Sequence, residues 1–194
     1  MSRIINNPFS IAKARSEKAG EVLADALVNK AQGERPVTLI GYSLEARVIY
    51  TCLMTLAERR AFGLVESVVL VGASTPSTSS EWRKVRSMLS GRVVNVYSTN
   101  GYILALLYRT SSIQYGVAGL QKAEGVKGVE NVDVIGLASG HTRYRYLAGS
   151  ILKKIGFEDI DVEEVAREEA ELKAVGPGKE ESRRERKEEG QGCG

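Results

Sequence analysis

The chain has 194 residues, 43% of them apolar, which is enough for the core of one ordinary domain. Its formal net charge of +3 is slight and evenly spread, so no nucleic-acid partner is expected. Two cysteines far apart, Cys52 and Cys193, form no disulfide or zinc framework; no apolar run approaches the ~18 residues of a membrane span, and no apolar leader follows Met1. The chain as given reads as cytoplasmic, and neither a cofactor nor a metal is expected.

In chain order, Asn7-Pro8 signals a helix start. Ile11, Ala12, Ala19, Val22, Leu23, Ala26 and Leu27 trace one helical stripe as far as about Gln32, predicting a helix over 12–32 with these residues inward. Gly33-Glu-Arg-Pro36 breaks it and opens a strand over 37–41. A helix over 44–60 follows, with Val48, Ile49, Cys52, Leu53 and Leu56 buried. Val68-Val-Leu-Val71 is the continuous apolar run of a strand covered on both faces. A Ser- and Thr-rich loop, a short helix over 81–89 holding Trp82, and a third strand over 93–97 come next. A short helix over 103–108, an irregular Gly-bearing stretch over 110–128 and a short strand over 132–134 complete the centre. The last helix, 144–155, ends at Gly156. Strands alternating with helices predict an α/β fold with a small, mostly parallel sheet flanked by helices. Residues 7–157 form the expected domain and 158–194 a charged, largely disordered tail. In that tail, 158–174 is acidic and weakly helical, and 179–189 holds five bases and five acids without apolar anchors.

The stretch Val37-Thr-Leu-Ile-Gly-Tyr-Ser-Leu-Glu45 carries the chemistry. A strand, a sharp turn with serine at its apex and a helix make a nucleophile elbow, whose usual pattern is Gly-x-Ser-x-Gly. The turn lifts the Ser43 Oγ above the sheet, and the helix N-terminus, beginning with the Leu44 N–H, faces a developing oxyanion. Gly41 stands at the first glycine position and Glu45 at the second. His141, the only histidine, lies between the last strand and the last helix, where such folds place the base.

These residues resemble the C-terminal part of the hydrolase-like domain in the transmembrane and coiled-coil domain-containing family, a lipase-like, membrane-associated family also catalogued as a domain of unknown function. The resemblance rests on Arg35-Pro-Val-Thr-Leu-Ile-Gly-Tyr-Ser-Leu, Ala46-Arg-Val-Ile, Tyr108-Arg-Thr-Ser-Ser, Val117-Ala-Gly-Leu-Gln, Val129-Glu-Asn-Val-Asp and Ser139-Gly-His. It implies a partial α/β-hydrolase fold, Ser43 as nucleophile, His141 as base, an ester or lipid substrate and membrane association of full-length members. Three departures go with it. Glu45 replaces a glycine. Gly101 occupies the place of the triad acid, where Asn100 could orient the histidine by hydrogen bond; Asp133 is read first as a polar strand-end residue. The chain also starts downstream of the family's early strands, which donate half of the oxyanion hole. The expected function is therefore a degenerate or truncated hydrolase-like protein, weakly active or inactive. The alternatives are a serine esterase or lipase using Ser43 and His141, and an interaction module working through the tail. Two structural expectations follow. Strand 37–41 lies between 68–71 and an open edge that invites self-association. Ser43 has a positive φ, and Glu45 is crowded enough that Glu45→Gly stabilises.

Overall fold

The computed structural model describes residues 8–99, 117–134, 148–157 and 160–174. Among them, strands Val37–Tyr42 (β1), Val65–Val71 (β2), Val93–Tyr97 (β3) and Val129–Asp133 (β4) form one sheet in the order β1-β2-β3-β4, each pair parallel. Parallel pairing needs crossovers, and helices Leu44–Glu58 (α2) and Ser79–Ser87 (α3) supply the first two. Helix Pro8–Val28 (α1) precedes the sheet, while Ala148–Lys154 (α4) and Val162–Ala174 (α5) follow it. This is the α/β architecture that the alternating pattern predicts. The expected helix over 103–108 and the first turn of the helix over 144–155 lie outside the described residues, as does everything beyond 174.

Burial explains which strands read as apolar runs. All five residues of β3 are buried, and so is every β2 residue except Glu66, as strands covered on both faces require. β1 stands at the end of the order. Val37 and Leu39 pack into the core, whereas Thr38 is exposed and Ile40 is 48% exposed although its register partner Val69 is fully buried. The edge position expected for this strand is the one observed. β4 begins three residues earlier than its apolar residues suggest, because polar side chains extend the pairing. Arg92 grips Glu130 with two hydrogen bonds of 2.9 and 2.7 Å, and the buried Asn95 reaches Asn131 at 3.1 Å. The Arg92 guanidinium holds the Glu130 carboxyl below its usual range, chiefly through that hydrogen bond. Both groups are more than a third exposed, so the pair contributes at most about 1 kcal/mol.

The stripe predicted for α1 is corrected by the packing. Leu27 is buried and Leu23 packs against the core as predicted, whereas Ile11 is 41% and Val22 66% exposed, and the inward face is completed by Ser16, Gly20 and Ala24 beside Leu27. These lie four, four and three positions apart, one face of a helix. Ser16, Gly20 and Ala24 are small because α1 crosses α2 closely: a Cβ on Gly20 would lie 2.6 Å from the Val48 carbonyl oxygen. In α2 the expected Ile49, Cys52, Leu53 and Leu56 are buried, with Val48 only partly so. Burial pushes the Cys52 thiol up to about 12, with the Arg59 charge offsetting this in part, so the thiol is an inert core group.

The chain divides into two compact units, residues 1–142 and 143–194. Within the second, α4 closes at Gly156, where the Phe157 N–H reaches back to the Leu152 carbonyl at 3.0 Å. The helical character read in the acidic stretch corresponds to α5. Asp161 caps α5 by accepting from the Glu163 and Glu164 N–H groups at 2.9 and 3.2 Å, and Glu168 and Glu169 bond the start of α4 through the Gly149 N–H and the Ser150 hydroxyl, each at 2.9 Å.

Candidate functional site

β1 runs into α2 through a single residue, and that junction has no slack. A Cβ on Gly41 would lie 2.6 Å from the Ile49 side-chain tip and 2.9 Å from backbone atoms of Glu45 and Ala46, so strand and helix approach each other as only glycine permits. Two residues later Ser43 takes φ 54° and ψ −111°, the positive φ that the sequence reading expects. Lys30 and Arg60 also have positive φ, but they follow helix C-termini, where left-handed residues are routine. Ser43 instead begins a helix. Such a conformation costs of order 1–3 kcal/mol and persists only where the surroundings impose it. A serine in this position ordinarily caps the helix with its hydroxyl, and Ser43 makes no such bond.

The surroundings that impose it come from three segments. The Ser43 N–H donates to the Val71 carbonyl at 2.9 Å, tying the turn to the end of β2. The Ser43 carbonyl accepts from the Arg47 N–H at 3.3 Å and lies 3.5 and 3.4 Å from the Ser74 N–H and Oγ. Residues 72–75 after β2 are all buried. A second segment, 117–119, runs along them: Pro76 and Val117 form an antiparallel bridge, the Ala118 N–H donates to Thr75 and the Gly119 N–H to Ala73, both at 2.9 Å. The Gly119 carbonyl then accepts from the Ser98 N–H at 3.1 Å, joining the end of β3 to the same cluster. Both segments look irregular in the sequence, because their ladder forms only between residues more than forty positions apart.

The parts gathered at the carboxyl edge of this sheet suit nucleophilic chemistry. Ligands of parallel α/β sheets bind outside the carboxyl ends of the strands. Ser43 stands there, and the Leu44 N–H that follows is the first of α2, so it has no intrahelical acceptor and sits at the positive end of the helix dipole. The Thr75 and Ser98 hydroxyls are buried nearby in the chain's path, at the ends of β2 and β3, without a partner among the described residues. Asp133 ends β4 opposite Tyr97, the position of an ordinary strand-end residue. Asn100, Gly101 and His141 lie outside the described residues. The buried Arg47 was not singled out by sequence reasoning; its side chain is 7% exposed and bonds Glu17 of α1 and the Ser74 carbonyl. Burial, and after it the Arg47 charge, hold the Lys13 ammonium below its usual range, while Glu17 works the other way. A charged residue spaced among apolar ones on the inward face of α2 is the one signal that could have revealed it.

The sequence expects the Glu45 carboxylate to swing away from the adjacent strand at a steric cost, and the side chain is exposed to solvent in the first turn of α2, where little crowds it. There an acid gains ~0.3–1 kcal/mol from the helix dipole, and glycine within a helix costs ~1 kcal/mol relative to a good helix former. Glu45→Gly is therefore expected to lower stability by about 1 kcal/mol; a raised melting temperature would show that the carboxylate is strained after all.

Comparison with known proteins adds the following. The family model described as "Protein of unknown function (DUF726)" matches residues 1–158. The "Uncharacterized membrane protein C6F6.13c" of Schizosaccharomyces pombe is 46% identical over 167 residues, 85% of this chain and 29% of its own length. The "Transmembrane and coiled-coil domain-containing protein STS1" of Oryza sativa subsp. japonica is 48% identical over 152 residues, 78% of this chain and 23% of its own length. The "Probable lipase MIL1" of Saccharomyces cerevisiae is 38% identical over 167 residues, 86% of this chain and 16% of its own length. The chain thus spans less than a third of the length of these curated relatives. Two of the three are named for a membrane, and no helix among the described residues is long and apolar enough to cross one. No solved structure matches the chain.

Proposed function

This chain belongs to the family described as protein of unknown function DUF726, and from that membership we propose that it carries the nucleophile side of a lipase-like ester-hydrolase site with strongly reduced turnover. The observation that carries the reading is the φ of 54° at Ser43, held between a strand and a helix with its hydroxyl withdrawn from capping. A positive φ at a serine costs stability. It has a use if the Oγ must stand above the sheet.

The chemistry is acyl transfer. The Ser43 Oγ attacks the carbonyl carbon of an ester as His141 takes its proton, the Leu44 N–H stabilises the oxyanion, and His141 returns the proton to the departing alkoxide. Water then releases the acid by the reverse sequence. Membership beside a relative named as a probable lipase, and relatives named as membrane proteins, favours lipid esters as the substrate class. Gly101 supplies no carboxylate to fix the His141 tautomer, a loss of ~10⁴ in a triad, which is why turnover is low.

A fluorophosphonate probe tests this, because phosphonylation needs an activated serine but not repeated turnover. Labelling is expected at Ser43, located by mass spectrometry, and should disappear in Ser43→Ala and fall sharply in His141→Ala. Hydrolysis of p-nitrophenyl butyrate should be barely above background. A folded chain that takes no label at Ser43 would refute the reading and leave an inactive relic of a hydrolase fold.

A further inference from the structure

Arg47 lies one turn after Ser43 on α2, and its side chain is 7% exposed. Removing a guanidinium from water costs several kcal/mol unless its donors are satisfied, and an apolar residue would fill the same space at lower cost. What an apolar residue lacks is a rigid fork of donors pointing two ways. One side of the fork reaches α1, where Nε and Nη2 donate to the same Glu17 oxygen at 3.2 and 2.9 Å. The other side reaches the loop after β2, where Nη1 donates to the Ser74 carbonyl. Ser74 in turn presents its N–H and Oγ to the Ser43 carbonyl, which also accepts the backbone N–H of Arg47 itself. Glu17, Arg47, Ser74 and Ser43 therefore form one connected path from α1 to the strained turn.

We infer that Arg47 is a positioning residue for Ser43: it braces the loop after β2 against the strand–helix turn and so keeps the serine in its positive-φ conformation. The catalytic part of this statement rests on the function proposed above, while the brace itself does not. The Ser74 contacts to Ser43 are long, 3.4–3.5 Å, and are maintained from outside rather than by their own strength. Arg47 supplies that outside hold.

Two measurements on Arg47→Lys separate bracing from general stability. A lysine keeps the charge but cannot serve Glu17 and the Ser74 carbonyl in fork geometry. Amide hydrogen exchange at Ser43 and Ser74 is expected to speed up by about tenfold or more relative to the core amides of Val69 and Val94. The fluorophosphonate labelling rate at Ser43 is expected to fall by about 10- to 100-fold, the scale of a misplacement near 1 Å. Exchange that rises equally at all four amides would overturn the inference, since Arg47 would then support only the fold as a whole. If the unmodified chain takes no label, the proposed function fails and the exchange comparison still decides the role of Arg47. Should Arg47→Lys not fold, Glu17→Gln weakens the same brace from its exposed end and should shift the same two amides. An unchanged pattern in that variant would also overturn it.

Discussion

Trp82→Ala is expected to remove about 3–5 kcal/mol, a large part of the 5–15 kcal/mol typical of a domain. Trp82 is fully buried and belongs to the core that α2, β2 and β3 share. Its indole N–H also donates to the Pro76 carbonyl at 2.8 Å, and Pro76 is the residue that bridges Val117. The substitution therefore empties the largest side-chain volume in the core and unties the loop after β2 in one step. Trp82→Phe separates the two effects, because it keeps most of the apolar volume and loses a single hydrogen bond worth ~0.5–1.5 kcal/mol. Urea unfolding of the three chains is the measurement. A loss below about 1 kcal/mol for Trp82→Ala would contradict a tightly packed α3–sheet interface.

Gly119→Ala is expected to be nearly as damaging, although it adds one methyl group. The new Cβ would lie 2.4 Å from the Gly72 carbonyl carbon, 2.7 Å from the Ala73 nitrogen and 2.8 Å from the Gly72 oxygen. All three are backbone atoms, so no side chain can rotate away and the segment itself must lift. Lifting it strains the Gly119–Ala73 and Ser98–Gly119 hydrogen bonds, which tie the ends of β2 and β3 together. Overpacking of ~1–3 kcal/mol plus one or two hydrogen bonds comes to about 3 kcal/mol, or a melting temperature lower by roughly 6–12 °C in a chain of this length. Because residues 72–75 also hold the Ser43 carbonyl, labelling at Ser43 should fall with it. A variant as stable as the parent would mean that segments 72–75 and 117–119 are not in contact in solution.

The two substitutions meet at residues that sequence reading treats as filler. Serines and threonines over 72–80 and glycines over 110–128 carry no periodicity, and their hydrogen bonds join stretches whose partner cannot be inferred from either one. Elsewhere local pattern was sufficient. The apolar run at 68–71 corresponds to a doubly covered strand, since burial in a parallel sheet leaves its mark directly on composition. The junction at Gly41–Ser43 was equally legible. A glycine two residues before a serine between strand and helix patterns is the mark of an elbow turn, and the positive φ expected from the resemblance to that geometry is the one observed at Ser43.

Where the sequence misled, a neighbouring element had outvoted a local preference. Ile11 and Val22 lie on an apolar helical stripe, yet the close crossing of α1 on α2 turned Ser16, Gly20 and Ala24 inward, because shape at a helix crossing outweighs the transfer energy of two aliphatic side chains. Arg47 looks like one more surface cation in the sequence and is a buried one, since only the folded chain brings Glu17 and the Ser74 carbonyl to either side of it. Sequence alone therefore determined the α/β class, the strand–serine–helix junction and the family. Which face of α1 is buried, what holds the loop after β2, and how a strained serine is kept in place were decided by tertiary contacts, because each depends on a distance between residues remote in the chain.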